Sequence, residues 1–147
     1  MKYSTQISIH LPRKRVFELF DSMDNMYKWQ PGLKSHEFVE GTPGKAGSKT
    51  RLVYESRKGE LVMLETIIAK HLPEEFHATY EAKGVYNEMQ NYFSEDSPDS
   101  TLWKTVSVFK FRGVMAIMAR FMSPAFKKQT LVSMEQFKQF CENESKP

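Results

Sequence analysis

The strongest constraint on this chain is a long stretch of alternating apolar and polar residues with only short polar breaks. Six segments read as strands: Leu33 to Glu40, Lys49 to Ser56, Glu60 to His71, Phe76 to Tyr80, Val85 to Ser94 and Leu102 to Phe111. A period of two puts alternate side chains on opposite faces of a sheet. Phe76, Ala78 and Tyr80 share one face; Trp103, Thr105, Ser107, Phe109 and Phe111 share one in the last segment. The breaks carry turn chemistry: the glycine-rich run Gly41 to Ser48, the tight turn Arg57-Lys58-Gly59, Leu72-Pro73-Glu74-Glu75, Lys83-Gly84 and the polar Asp96-Ser97-Pro98-Asp99. None is long enough for the helical crossover that parallel pairing needs, so the six strands run as an antiparallel meander.

The flanks complete an order of strand, two short helices, six strands and a long helix. Tyr3, Thr5, Ile7 and Ile9 fall on one face of a half-buried strand that ends at His10. Pro12 stands where a helix can begin, because its missing N–H is not needed in the first turn. Val16, Phe17, Leu19 and Phe20 then form an apolar stripe, and Asp21-Ser22 ends that helix or caps the next, Met23 to Gln30, which Pro31-Gly32 stops. Residues 113–143 form a long amphipathic helix whose apolar side is built from Met and Phe. Laid across a curved sheet, such a helix can enclose a space rather than fill it. Pro124 removes a helical hydrogen bond, which predicts a kink or a restart with Ser123 as cap. Before it, Val114, Met115, Ile117, Met118, Phe121 and Met122 surround the axis, as in a segment buried on several sides, a dimer contact or a mobile gate. After it, Phe126, Thr130, Met134, Phe137 and Cys141 make a clear inner stripe.

A chain of 147 residues is expected to form a single domain spanning 1–147. Nine Met and 13% aromatic residues suit an adaptable interior. The 21 basic and 18 acidic residues are dispersed, and the densest basic cluster, Arg13-Lys14-Arg15, is no nucleic-acid-binding stripe. Cys141 is the one cysteine, so no internal disulfide forms; with no apolar leader at Met1 to Thr5, a cytoplasmic protein is expected. Val114 to Met122 is shorter than the roughly 20 apolar residues that cross a bilayer and contains Arg120, so no stable membrane insertion is expected. His10, His36, His71 and His77 lack metal-ligand spacing, and neither a metal nor another cofactor is expected. Gly41 to Ser48 lacks the phosphate-cradle pattern and precedes a strand, so it reads as a hairpin loop. The expected assembly is a monomer or homodimer.

Glu65 is the ionisable residue with most to say, because it shares a strand face with Met63 and Ile67. If that face is concave, a carboxyl enters the interior. There it needs a partner such as Arg51, a Tyr hydroxyl or water, or else a raised pKa. It could then act as acid or base, or orient a ligand hydroxyl. Asn87 and Asn91 share a face with Met89 and Phe93, and Tyr80 joins Phe76 and Ala78. A few polar groups in an apolar wall is how small-molecule sites fix orientation, although buried water could satisfy them equally.

Several local patterns recur in a recognisable order: Pro12-Arg13-Lys14-Arg15-Val16-Phe17-Glu18-Leu19-Phe20, Trp29, Glu40 through Ser48, Glu65-Thr66-Ile67 before Leu72-Pro73, Asn91-Tyr92-Phe93, Thr101-Leu102-Trp103 and Phe137-Lys138. Together they resemble the polyketide cyclase/dehydrase and lipid-transport superfamily, also called SRPBCC or START-like, which includes the birch-pollen-allergen fold. The resemblance implies an α+β helix-grip fold: a seven-stranded curved antiparallel sheet wrapped around a long C-terminal helix, with a cavity for lipids, polyketides, sterols or plant hormones. It also implies that Gly41 to Ser48 shapes the cavity mouth. The expected function is non-catalytic binding of a hydrophobic or aromatic small molecule. The expected contacts are Met26, Trp29, Leu52, Tyr54, Glu65, Tyr80, Asn87, Met89, Asn91, Trp103, Thr105, Met118, Met122 and Phe126. One alternative is a cyclase- or dehydratase-type enzyme with Glu65 as general acid/base and Tyr80 assisting. Another is a protein-interaction module using the apolar 114–122 segment.

Overall fold

The computed structural model describes residues 1–71 and 73–144; Leu72, expected in a turn, lies outside them. The elements are β1 (Lys2–Ile9), α1 (Arg13–Phe20), α2 (Met23–Trp29), β2 (Leu33–Glu40), β3 (Lys49–Ser56), β4 (Gly59–His71), β5 (Glu75–Ala82), β6 (Val85–Ser97), β7 (Ser100–Phe111) and α3 (Val114–Glu144). All seven strands form one antiparallel sheet in the order β1-β7-β6-β5-β4-β3-β2. The meander is as the alternation requires, and β1 joins it beside the last strand.

Register assembles one inner face across the sheet. Glu65 pairs with Tyr80, Tyr80 with Asn87, and Asn87 with Phe109. On the β1 side this face is filled. Phe20 meets Phe93, Phe137 and Trp103 edge-on at centroid distances of 5.2, 5.6 and 5.7 Å, and Phe17 packs beside them. Edge-to-face aromatic pairs of this kind add to the stabilisation from burial alone.

Asp21 and Ser22 share the junction between the short helices. Asp21 is the C-cap of α1, and Ser22 caps α2 by accepting the Asn25 N–H at 3.2 Å. α3 packs on β1, β7 and α2. The Tyr3 hydroxyl lies 2.6 Å from Thr130 Oγ1 and donates to the Phe126 carbonyl at 3.2 Å; Thr5 Oγ1 donates to Met134 Sδ at 3.1 Å. At the far end Lys138 Nζ donates to the Ser8 carbonyl at 2.8 Å and to Glu142 at 2.6 Å.

Two expectations about α3 are corrected. The helix neither stops nor restarts at Pro124, which lies inside it. Pro124 and Arg120 both face solvent, so water can satisfy the carbonyl that the proline leaves free. The first half is also not enclosed: Val114, Ile117 and Phe121 are 71%, 64% and 83% exposed and form an outward apolar stripe. Among the described residues, no helix is long and apolar enough to cross a membrane.

Candidate functional site

α3 covers the β1 and β7 side of the sheet, so β2 to β5 reach beyond it. What covers them is the α1–α2 turn, α2 and the loop between β2 and β3. A cavity of about 420 Å³ remains between these layers. Its walls are mostly apolar: Phe20, Met23, Met26 and Trp29 from the helices, Phe38 from β2, Ile67 from β4, and Phe76 and Tyr80 from β5. Pro43, Gly44 and Ser48 bring the glycine-rich loop to its mouth. Gly41 is required there, because it adopts φ +91° and a Cβ would lie 2.8 Å from the Ser48 Cα.

Glu65 forms the polar floor. It is 7% exposed, lines the cavity and faces its cross-strand partner Tyr80. Burial raises its pKa, and the neighbouring Tyr80 hydroxyl offsets only part of that rise. Burial also pushes the Tyr80 phenol well above its ordinary value, and the neighbouring Glu65 pushes the same way. Tyr54 is raised for the same two reasons, and its hydroxyl donates to Gln30 Oε1 at 2.6 Å. Among the described residues, no Lys, Arg or His lies within ion-pairing distance of Glu65. Arg51, a candidate partner from sequence, is exposed and pairs in register with Leu64 on the other face.

The mouth carries its own polar clasp. Lys70 Nζ donates to Asp21 Oδ1 at 2.8 Å and to the Gly44 carbonyl at 2.9 Å, joining β4, the end of α1 and the loop. Lys70 also lines the cavity. It sits five residues along β4 from Glu65, roughly 16 Å of strand.

Of the contacts expected from sequence, the structure brings Met26, Trp29, Glu65 and Tyr80 together on this cavity. The others lie outside its lining, for identifiable reasons. Leu52 is fully buried. Tyr54 is held by Gln30. Asn91 Oδ1 accepts from Trp103 Nε1 at 3.0 Å and from Thr105 Oγ1 at 2.8 Å, so these three side chains satisfy one another. Asn87 Nδ2 donates to the Val108 carbonyl at 3.2 Å, and Met89 is half-buried nearby. Phe126 packs on Phe109 and Phe111 at 5.2 and 5.4 Å. Met118 and Met122 lie on α3, outside the lining of this cavity. Phe20, Met23, Phe38, Lys70 and Phe76 were missed. Only Phe76 carried a readable signal, through its shared face with Tyr80.

A wider depression of about 560 Å³ lies at the β5–β6 turn, lined by Glu81, Tyr86, Lys110 and Arg112 among others. It is open, charged and lacks a buried polar anchor. Among the described residues no cluster of three His, Cys, Asp or Glu side chains could hold a metal ion.

The chain is similar in structure to the Zhui aromatase/cyclase from Streptomyces sp. R1128, at TM-score 0.82 and 12% identity over 99% of this chain and 96% of that one. It is similar to Ara h 8.0201 at TM-score 0.78 and 14% identity over 97% and 98%. It is also similar to a START superfamily protein from Mycobacterium smegmatis, at 0.72 and 11% over 94% and 97%. No protein-family model and no curated protein matches the sequence. At such identities the likeness is one of fold, and the fold is the START-like, birch-pollen-allergen-like helix grip that the sequence resembles.

Proposed function

We propose that this protein binds a small apolar or aromatic molecule in the cavity under α2, with Glu65 and Tyr80 as its polar anchor. The observation that carries the reading is an apolar space of about 420 Å³ with one buried carboxyl on its floor. Small-molecule sites are typically about 300–1,000 Å³, mostly apolar, with a few polar groups that fix orientation. Burial of the ligand's apolar surface supplies the driving force, at about 25 cal/mol per Å².

The test uses prodan, a neutral naphthyl ketone whose emission shifts to the blue in apolar surroundings. Wild-type protein should bind it saturably. Met26→Trp, which fills the cavity from α2, should abolish binding while the circular dichroism spectrum is kept. Non-saturable binding, or binding unchanged by Met26→Trp, would overturn the reading.

One observation favours a second reading: Glu65 is inward, reaches the cavity and has a raised pKa, as an acid/base catalyst must. One of the similar folds belongs to an aromatase/cyclase. In heavy water, an active Glu65 would exchange the protons next to the prodan carbonyl, and Glu65→Gln would stop the exchange. Exchange at the solution rate in both would leave binding alone.

A further inference from the structure

We infer that the cavity selects a positively charged ligand, a hydrophobic amine whose ammonium pairs with Glu65 among aromatic rings. The inference rests on the cavity being the binding site and names the chemistry of its occupant.

The carboxyl lies inside the domain, and no cation of the chain answers it among the described residues. The lysine on the cavity wall, Lys70, is committed at the opposite end to Asp21 and the Gly44 carbonyl. Tyr80 lies opposite Glu65 but brings no charge, and the Tyr54 hydroxyl is spent on Gln30. A buried carboxyl without a counter-charge is costly, and the cost falls when a cation arrives with hydrogen-bond donors. An ammonium brings up to three donors.

The remaining wall suits the same charge. Phe20, Trp29, Phe38, Phe76 and Tyr80 line the space. Aromatic faces attract ammonium groups, and paired rings around one are a recognised way to hold organic cations. An anion would meet the Glu65 carboxyl, and the cation on the wall, Lys70, is already held by Asp21 and the Gly44 carbonyl. A neutral hydroxyl can donate a hydrogen bond to Glu65 but brings no charge to offset the carboxylate.

Three ligands of nearly equal shape separate these cases: 2-(aminomethyl)naphthalene, 2-(hydroxymethyl)naphthalene and 2-naphthoic acid, each titrated by calorimetry at neutral pH. The amine should bind at least tenfold more tightly than the alcohol, with the acid weakest. Glu65→Gln should weaken the amine at least tenfold and leave the alcohol within about threefold. Arg51→Met, on the outer face of β3, should keep the amine preference. Equal or tighter binding of the alcohol or the acid by wild-type protein overturns the inference whether or not the variant folds. So does an amine preference that survives Glu65→Gln. Saturable prodan binding with no amine preference sinks this inference alone; no binding of prodan or of any naphthalene sinks the parent reading as well.

Discussion

Glu65 makes the stability of the protein depend on pH in a definite direction. Its pKa in the folded chain lies above the ordinary 4.5, chiefly through burial. Between the unfolded and folded values the folded state therefore holds a proton that the unfolded chain has released. Its contribution is fully present below the unfolded value and is lost as pH rises through the folded value. Urea unfolding followed upward from about pH 4.5 should show this loss in wild type, and Glu65→Gln should remove it. Glu142 works the other way. Its partial burial raises the pKa, but bonds from Lys138 and the His10 N–H outweigh this and lower it, so its contribution is lost as pH falls. Asn91 holds the core together instead, since one oxygen serves both Trp103 and Thr105. Asn91→Ala leaves a buried indole N–H without a partner, and denaturant titration should show a loss of about 1–3 kcal/mol from that group alone. From sequence, Asn91 and Glu65 were both candidate ligand contacts, since both are polar residues sharing a strand face with apolar ones. Register separates them, because Thr105 lies directly opposite Asn91 whereas Tyr80 and Thr50 flank Glu65.

α3 is one helix with two environments. Its second half drives Met134, Phe137 and Cys141 into the core, where burial pushes the Cys141 thiol up to about 12 and keeps it protonated. Its first half turns Val114, Ile117 and Phe121 outward. Phe137→Ala should cost about 3–5 kcal/mol by denaturant titration, while Phe121→Ser should stay within about 0.5 kcal/mol. The same Phe121→Ser protein decides what the outward stripe is for. If that stripe joins two copies, sedimentation velocity should show a dimer in wild type that the variant loses. The periodicity of residues 113–143 disclosed the helix but not its path. Met and Phe at helical spacing look alike whether they face a cavity, a core or solvent, and it is the contacts with Tyr3, Thr5 and Ser8 that place the axis beside β1.

Strand faces were legible where the alternation runs unbroken, because a period of two leaves no choice once one face is apolar. The register shift between Ile67 and Ala69 in β4, beyond which Lys70 joins Glu65 on the cavity, left no such trace. Strands β2 and β3 begin and end where the alternation does, and β6 and β7 extend only into the polar turn between them. The site was legible in part. Glu65, Tyr80, Met26 and Trp29 could be named, but the cavity lies where α3 is not, and no local pattern records what a distant helix leaves uncovered. The glycine-rich loop was expected at the mouth, but its clasp was hidden for the same reason, since Asp21, Gly44 and Lys70 meet only in three dimensions. Lys70→Met should release that clasp, so that stopped-flow prodan binding shows association and dissociation both several-fold faster with Kd little changed. The sheet order also dictates a sequence of events in time. Hairpins β2 to β6 close between neighbours, but β1 finds its partner about a hundred residues away, with Lys2 opposite Val108. Contacts that distant form slowly, because the loop entropy is lost before they repay it. The half of the sheet that walls the cavity can therefore assemble from local turns as the chain emerges, while the half that seats α3 waits for β7. Until then β1 has no strand to pair with.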